Sequence, residues 1–151
     1  MSERRLLSYC GMYCGECLGQ TGVIANAAEE FLKVLDKHEF EKTAEGVFKE
    51  QLAGYNTFID VLEFMGGLRC KTMCREVDGG ESTCIVRQCV VDNGYITCNE
   101  CNDFEICDKL ASHLGTLHIE SARNNLRGIN RMGLDQWLER GKKHSYWDHA
   151  Q

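Results

Sequence analysis

A chain of 151 residues, 43% hydrophobic and 26% charged, has the length and composition of one folded domain with a real core. Its formal net charge of −6 argues against non-specific nucleic-acid binding, which relies on lysine and arginine neutralising phosphates. No stretch approaches the roughly 20 apolar residues of a membrane span.

The N-terminus, MSERRLLSYC, has two arginines but no apolar stretch of signal-peptide length after them. The expected location is therefore the cytoplasm, where disulfides are disfavoured and clustered cysteines bind metal or do redox work. The chain has ten cysteines and no proline. A domain of this size does not need disulfide staples. Each four-cysteine zinc site would carry a net charge of about −2, making the protein more acidic still.

Cys10, Cys14 and Cys17 open the chain in CGMYCGEC. The C-x3-C-x2-C spacing looks like the iron–sulfur motif of radical S-adenosylmethionine enzymes. The chain falls short of the roughly 200 residues such a barrel needs, no strand–helix alternation follows, and Glu16 stands where an aromatic residue is usual. Cys14-Gly-Glu-Cys17 resembles a thioredoxin-type pair but lacks the strand that precedes one.

Residues 24–65 are predicted to be helical scaffold. Asn26 with Glu29 resembles a capping box, and Ala27, Phe31, Val34, Leu35 and His38 fall near one helical face. A second helical region covers about 44–65, with Val47, Phe48, Leu52, Tyr55, Ile59 and Leu62 as its apolar side. Gly54 is a point of interruption, and Gly66-Gly67 is a natural stop.

The other seven cysteines lie between 70 and 107. Cys98-Asn-Glu-Cys101 is a C-x-x-C knuckle, a common way of offering two sulfurs to one tetrahedral zinc. Cys107 follows just ahead of a short helix, Asp108–Leu114, whose dipole eases thiol deprotonation. Cys89 reaches the same place on either of two readings. Asn93-Gly94 turns a hairpin that pairs Cys89 with Cys98, or it closes a helix over 85–92. The first expected metal site is therefore Cys89, Cys98, Cys101 and Cys107. Five residues apart on a helix, Cys84 and Cys89 would point about 140° apart. Cys84 is accordingly assigned to a second site with Cys70 and Cys74. Its fourth ligand would come from the front cluster, Cys14 or Cys17 ahead of Cys10.

Further on, Ile119, Ala122, Leu126 and Ile129 repeat at helical spacing towards a core. Arg123, Arg127 and Arg131 form a stripe beside them, read as a solvated face with Glu120 nearby rather than an anion-binding ridge. Gly133 allows a turn, and Leu134, Trp137 and Leu138 begin a last short helix. His38, His113 and His118 read as packed or exposed side chains, and His144 and His149 as part of a polar tail. No Ser–His–Asp set, phosphate-cradling glycine loop or carboxylate pair is legible, so no catalytic residue is assigned and the reading leans away from an enzyme.

These residues resemble the cysteine-rich Domain of Unknown Function 3795 family of bacteria and archaea. The resemblance lies in Tyr9-Cys10-Gly11 with Cys14 and Cys17, in Cys84-Ile-Val-Arg-Gln-Cys89, in Cys98-x-x-Cys101 and in Cys107-Asp-Lys-Leu110. It extends to the tail from Asn125 to Leu138. It implies a small metal-binding protein, with zinc as the metal, and favours the helical reading of 85–92. The chain departs from the family at Cys70-Lys-Thr-Met-Cys74, where Cys-x-x-Cys is frequent, and at Ile106, where proline is frequent.

The expectation is a mainly α, single cysteine-rich metal-binding domain (cysteine clusters 10–17 and 70–107, helical scaffold 24–65 and 108–146) with at most one short β-hairpin. It holds about two structural zinc ions and serves as a partner- or ligand-binding module. An iron–sulfur or thiol redox protein is the alternative, since thiolates suit both. A protein or small-molecule partner is expected, with nucleic acid and membrane disfavoured.

Overall fold

A computed structural model describes residues 3–70, 73–76 and 83–146. The chain divides into two compact units, one from residues 1–20 with 71–151, the other from residues 21–70. The described helices are α1 (Leu18–Thr21), α2 (Val23–Lys37), α3 (Phe40–Glu45), α4 (Tyr55–Gly66), α5 (Ile85–Asp92), α6 (Asp108–Met132) and α7 (Leu134–Arg140). The mainly α architecture is thus the one the sequence predicts. Among the described residues no helix is long and apolar enough to cross a membrane.

In the unit 21–70, α2 packs on α4 through Ala28, Leu35 and Leu62, with Leu32, Ile59 and Met65 around them. Asn26 meets Arg69 and Phe31 meets Phe58, so the two helices run antiparallel. The expected capping box does not form. α2 starts after Gly22, at φ 68°, well ahead of Asn26, and no side chain caps it. Asn26 instead accepts a hydrogen bond from Arg69 at 2.9 Å, and Glu29 pairs with the same guanidinium.

The buried stripe of α2 is also displaced from the expected one. Ala25, Ala28 and Leu35 are buried, whereas Ala27, Phe31, Val34 and His38 are exposed. The two alanines let α4 approach closely, which the bulkier Phe31 and Val34 would prevent. Phe31, Val34, Phe40, Leu52, Tyr55 and Phe58 line a cavity of about 590 Å³.

The region 44–65 is interrupted ahead of Tyr55 at Gly54, as the sequence allows, but the break begins earlier. Gly46, at φ −94° and ψ −89°, leaves helical geometry and ends α3, and α4 starts only after Gly54. Val47 and Phe48 consequently fall in the intervening turns, exposed, while Leu62 alone of the expected stripe is buried.

In the other unit, the core gathers Val86 and Val90 of α5 with Leu110, Leu114, Ile119, Ala122 and Leu126 of α6. Leu110 and Leu126 are wholly buried, each stabilising the fold by about 1.5–3 kcal/mol. A second cluster joins Leu7, Tyr13, Ile129, Trp137 and Leu138. The predicted apolar face of α6 and the predicted start of α7 are therefore the faces that pack. α6 kinks at Gly115, directly after the predicted Asp108–Leu114 segment.

The hairpin alternative is not adopted. Residues 85–92 form α5, and Gly94 (φ 68°) ends it. The Gly94 N–H donates to Val91 O at 3.0 Å and the Tyr95 N–H to Val90 O at 2.9 Å, the paired bonds of a Schellman helix end. Asn-Gly fits both structures because each needs a positive φ at the glycine. Burial of Val86 and Val90 decides for the helix. Among the described residues the β-structure is one isolated bridge between Leu7 and Tyr13.

Candidate metal centre

Cys98 is the hub of the first thiol group. Its N–H donates to Tyr9 O at 3.0 Å, and Thr97 Oγ1 donates to the same carbonyl at 2.8 Å. This anchors the knuckle on the loop carrying the front cluster. The Cys101 N–H donates back to Cys98 O at 3.1 Å, closing the C-x-x-C turn. Cys107 precedes α6 in extended conformation, and its carbonyl accepts the Ala111 N–H at 3.0 Å. Cys89 projects from α5 towards the start of α6, where Lys109 Nζ lies 3.7 Å from its sulfur.

Cys89, Cys101 and Cys107 all lie within reach of the Cys98 thiol's charge. The pKa of the Cys98 thiol is pushed up to about 12, first by burial and then by the charge of Cys10, Cys107, Cys89 and Cys101. A buried sulfur ringed by ionisable sulfurs resists losing its proton unless a cation compensates. Four thiols are the donor set of structural zinc, so the residue types fit that metal. Among the described residues no group of three Cys, His, Asp or Glu side chains is arranged to hold an ion as the side chains stand.

A second group surrounds Tyr9. Cys10 is buried, with Ser8 Oγ at 3.0 Å from its sulfur. Its thiol pKa is raised, chiefly by burial, with Cys74 and Cys84 among the charges that add to the rise. That of Cys74 is raised mainly by burial as well, against the lowering influence of a Tyr9 N–H bond and of Arg75 and Arg87. Arg75 ties the surrounding loops together. Its guanidinium donates to Leu7 O and Ile96 O and lies 4.3 Å from the centre of the Tyr9 ring. Cys84 begins α5 and accepts the Arg87 N–H at 3.4 Å.

Cys84 also meets His113, which the sequence suggests only as a packed or exposed side chain. His113 Nε2 lies 3.6 Å from the Cys84 sulfur and Nδ1 4.0 Å. The two are 29 residues apart, so no local spacing joins them. The available sign was weak: His113 follows Cys107 on a helix whose Leu110 and Leu114 are buried.

In the front cluster, the Cys17 N–H donates to Cys14 O at 3.1 Å, a second knuckle-like turn, and the Cys14 N–H to Leu6 O at 2.7 Å. Cys70 is exposed and belongs to the unit 21–70. None of the ten cysteines forms a disulfide.

The arginine stripe is an ion-paired face. Arg123 pairs with Glu120 at 2.9 Å, and Arg127 with Glu105 at 2.6 Å and Glu120 at 3.4 Å. His118 is buried and stacks on Tyr146 at 3.8 Å. His38 caps α2, and the His144 backbone is held by Asn125. His149 lies outside the described residues.

Residues 6–112 match the family described as Protein of unknown function (DUF3795). The chain belongs to that family. The DUF3795 match takes in all ten cysteines and stops one residue short of His113. No curated protein and no solved structure matches the chain significantly.

Proposed function

We propose that this DUF3795 protein is a zinc protein in which Cys89, Cys98, Cys101 and Cys107 hold a structural ion, and that it acts as a partner- or ligand-binding module. The observation that carries the reading is that Cys89 of α5, Cys101 and Cys107 at the start of α6 all lie close enough to the buried Cys98 for their charges to act on it. Zinc bound there would cross-link three segments and so contribute to folding directly. A reducing, cytoplasmic setting suits such a site, because it keeps the sulfurs available to the metal. Support for a binding role comes from the unit 21–70, whose cavity has Phe31 and Phe58 partly open to solvent.

The test is elemental analysis and thermal unfolding of protein purified without oxygen. The expected result is a colourless sample containing zinc whose cooperative transition is lost on chelation. An unchanged melting curve after the metal is stripped overturns the structural role. A coloured sample rich in iron and acid-labile sulfide replaces zinc with an iron–sulfur cluster.

A further inference from the structure

We propose that Cys10, Cys74, Cys84 and His113 form a second metal centre, a three-thiolate, one-imidazole site for a zinc-class divalent cation. It rests on the reading of the chain as a zinc protein, and it adds to that reading a separate site with a histidine ligand.

The first support is a distance. Zinc–sulfur bonds of about 2.3 Å and zinc–nitrogen bonds of about 2.0–2.1 Å in a tetrahedron put sulfur and nitrogen roughly 3.6 Å apart. Cys84 Sγ and His113 Nε2 are 3.6 Å apart. The sulfur lies beside the ring, 4.0 Å from Nδ1 as well, so a turn of the imidazole that aims Nε2 at a shared ion completes this edge.

The second support is the direction of the backbone donors. The Arg87 N–H points at Cys84, the Met12 N–H at Cys10 and the Tyr9 N–H at Cys74. Backbone N–H groups aimed at each of three sulfurs fix where those sulfurs point, and such outer bonds orient metal ligands.

Charge is the third. Three thiolates and a divalent cation leave a net charge of about −1. Arg75 and Arg87, both over the Tyr9 ring at 4.3 and 5.9 Å, are the nearby cations that offset it. They also hold the segments bearing Cys10, Cys74 and Cys84 around one aromatic ring. The site closes by rotating the Cys10 and Cys74 thiols towards the Cys84–His113 edge.

The experiment titrates metal-stripped full-length protein with zinc, and with cobalt(II) as a spectroscopic probe, for wild type, His113→Ala, His113→Cys and Cys101→Ser. Wild type should bind about two ions, one at each four-ligand centre. His113→Ala should lose one or bind it at least about 100-fold more weakly. His113→Cys should restore it with stronger sulfur-to-cobalt charge-transfer absorption. Cys101→Ser should lose the other ion and keep the one that depends on His113. Unchanged stoichiometry, affinity and cobalt spectrum in His113→Ala overturn the inference. One ion that Cys101→Ser removes and His113→Ala leaves alone overturns it while sparing the first centre. No ion in wild type overturns both readings.

Discussion

The side-chain amide of Asn125 donates to the carbonyl of Gly11, 114 residues earlier, at 2.8 Å in the core of the protein. The same Nδ2 donates to His144 O at 2.8 Å, and Oδ1 accepts the His144 N–H at 2.9 Å. One buried amide thus joins the front cysteine loop, α6 and the C-terminal segment. Asn125→Leu keeps the shape but leaves Gly11 O and the His144 N–H without that partner, while His144 O keeps the Tyr13 N–H at 3.2 Å. Each buried orphan costs about 1–3 kcal/mol. Urea unfolding should register a loss of about 2 kcal/mol or more; a loss below about 1 kcal/mol would mean the groups find other partners.

Asn125 marks the limit of what was legible in the sequence. It lies beside Ala122, Leu126 and Ile129 on a face whose periodicity is plain, and that face does pack. Trp137 and Leu138 were legible for the same reason. Periodicity reports which side of a helix is apolar, so it misjudged α2, where two adjacent sides are apolar and the alanines decide which one meets α4. It also missed the break at Gly46, because a glycine can be tolerated within a helix or can end it. The Cys98–Cys101 turn and the helix that follows Cys107 were legible because each is local in sequence. The Cys84–His113 pair was not, because tertiary packing alone creates it.

The end of α5 sets where Cys89 stands relative to Cys98. Gly94 has φ 68° and no atom within 4 Å of where a Cβ would be. Substitution by alanine is therefore opposed by backbone strain alone, without a clash. Gly94→Ala should cost about 1 kcal/mol, and Gly94→Asn less, since asparagine tolerates this conformation better. Equal stabilities for the alanine and asparagine variants would contradict a left-handed helix end. Amide exchange offers a separate check, because the Tyr95 N–H bonded to Val90 should slow only if the helix closes there.

Arg127 gives a prediction with a pH sign. Glu105 is held below its ordinary value of 4.5, chiefly by its hydrogen bond to Arg127, and Glu120 is lowered chiefly by Arg123 and further by Arg127. A carboxylate depressed by folding stabilises the protein fully above its unfolded value and loses that contribution as pH falls through the lowered folded value. The side chains of Arg127, Glu105 and Glu120 are all more than 40% exposed, so water and salt screen the pairs. Arg127→Ala should cost only about 0.5–1 kcal/mol at neutral pH. The cost should shrink with added salt and vanish in acid once both carboxylates are protonated. A penalty that persists in acid would assign the role of Arg127 to the packing of its aliphatic stem.

Gly128 decides how closely α7 approaches α6. A Cβ there would stand 2.8 Å from Trp137 Nε1 and 2.9 Å from Cδ1, and Trp137 is only 1% exposed. Two effects oppose each other in Gly128→Ala. Helix propensity gains up to about 1 kcal/mol, while forcing a rigid indole out of a packed site costs about 1–3 kcal/mol. The contact is too short for a small adjustment and the ring has no flexible end to yield, so the steric cost wins. The melting temperature should fall, and Trp137 fluorescence, read in a Trp147→Phe background, should shift to the red as the ring moves towards water. A rise in melting temperature with unaltered emission would mean α7 does not rest on that glycine.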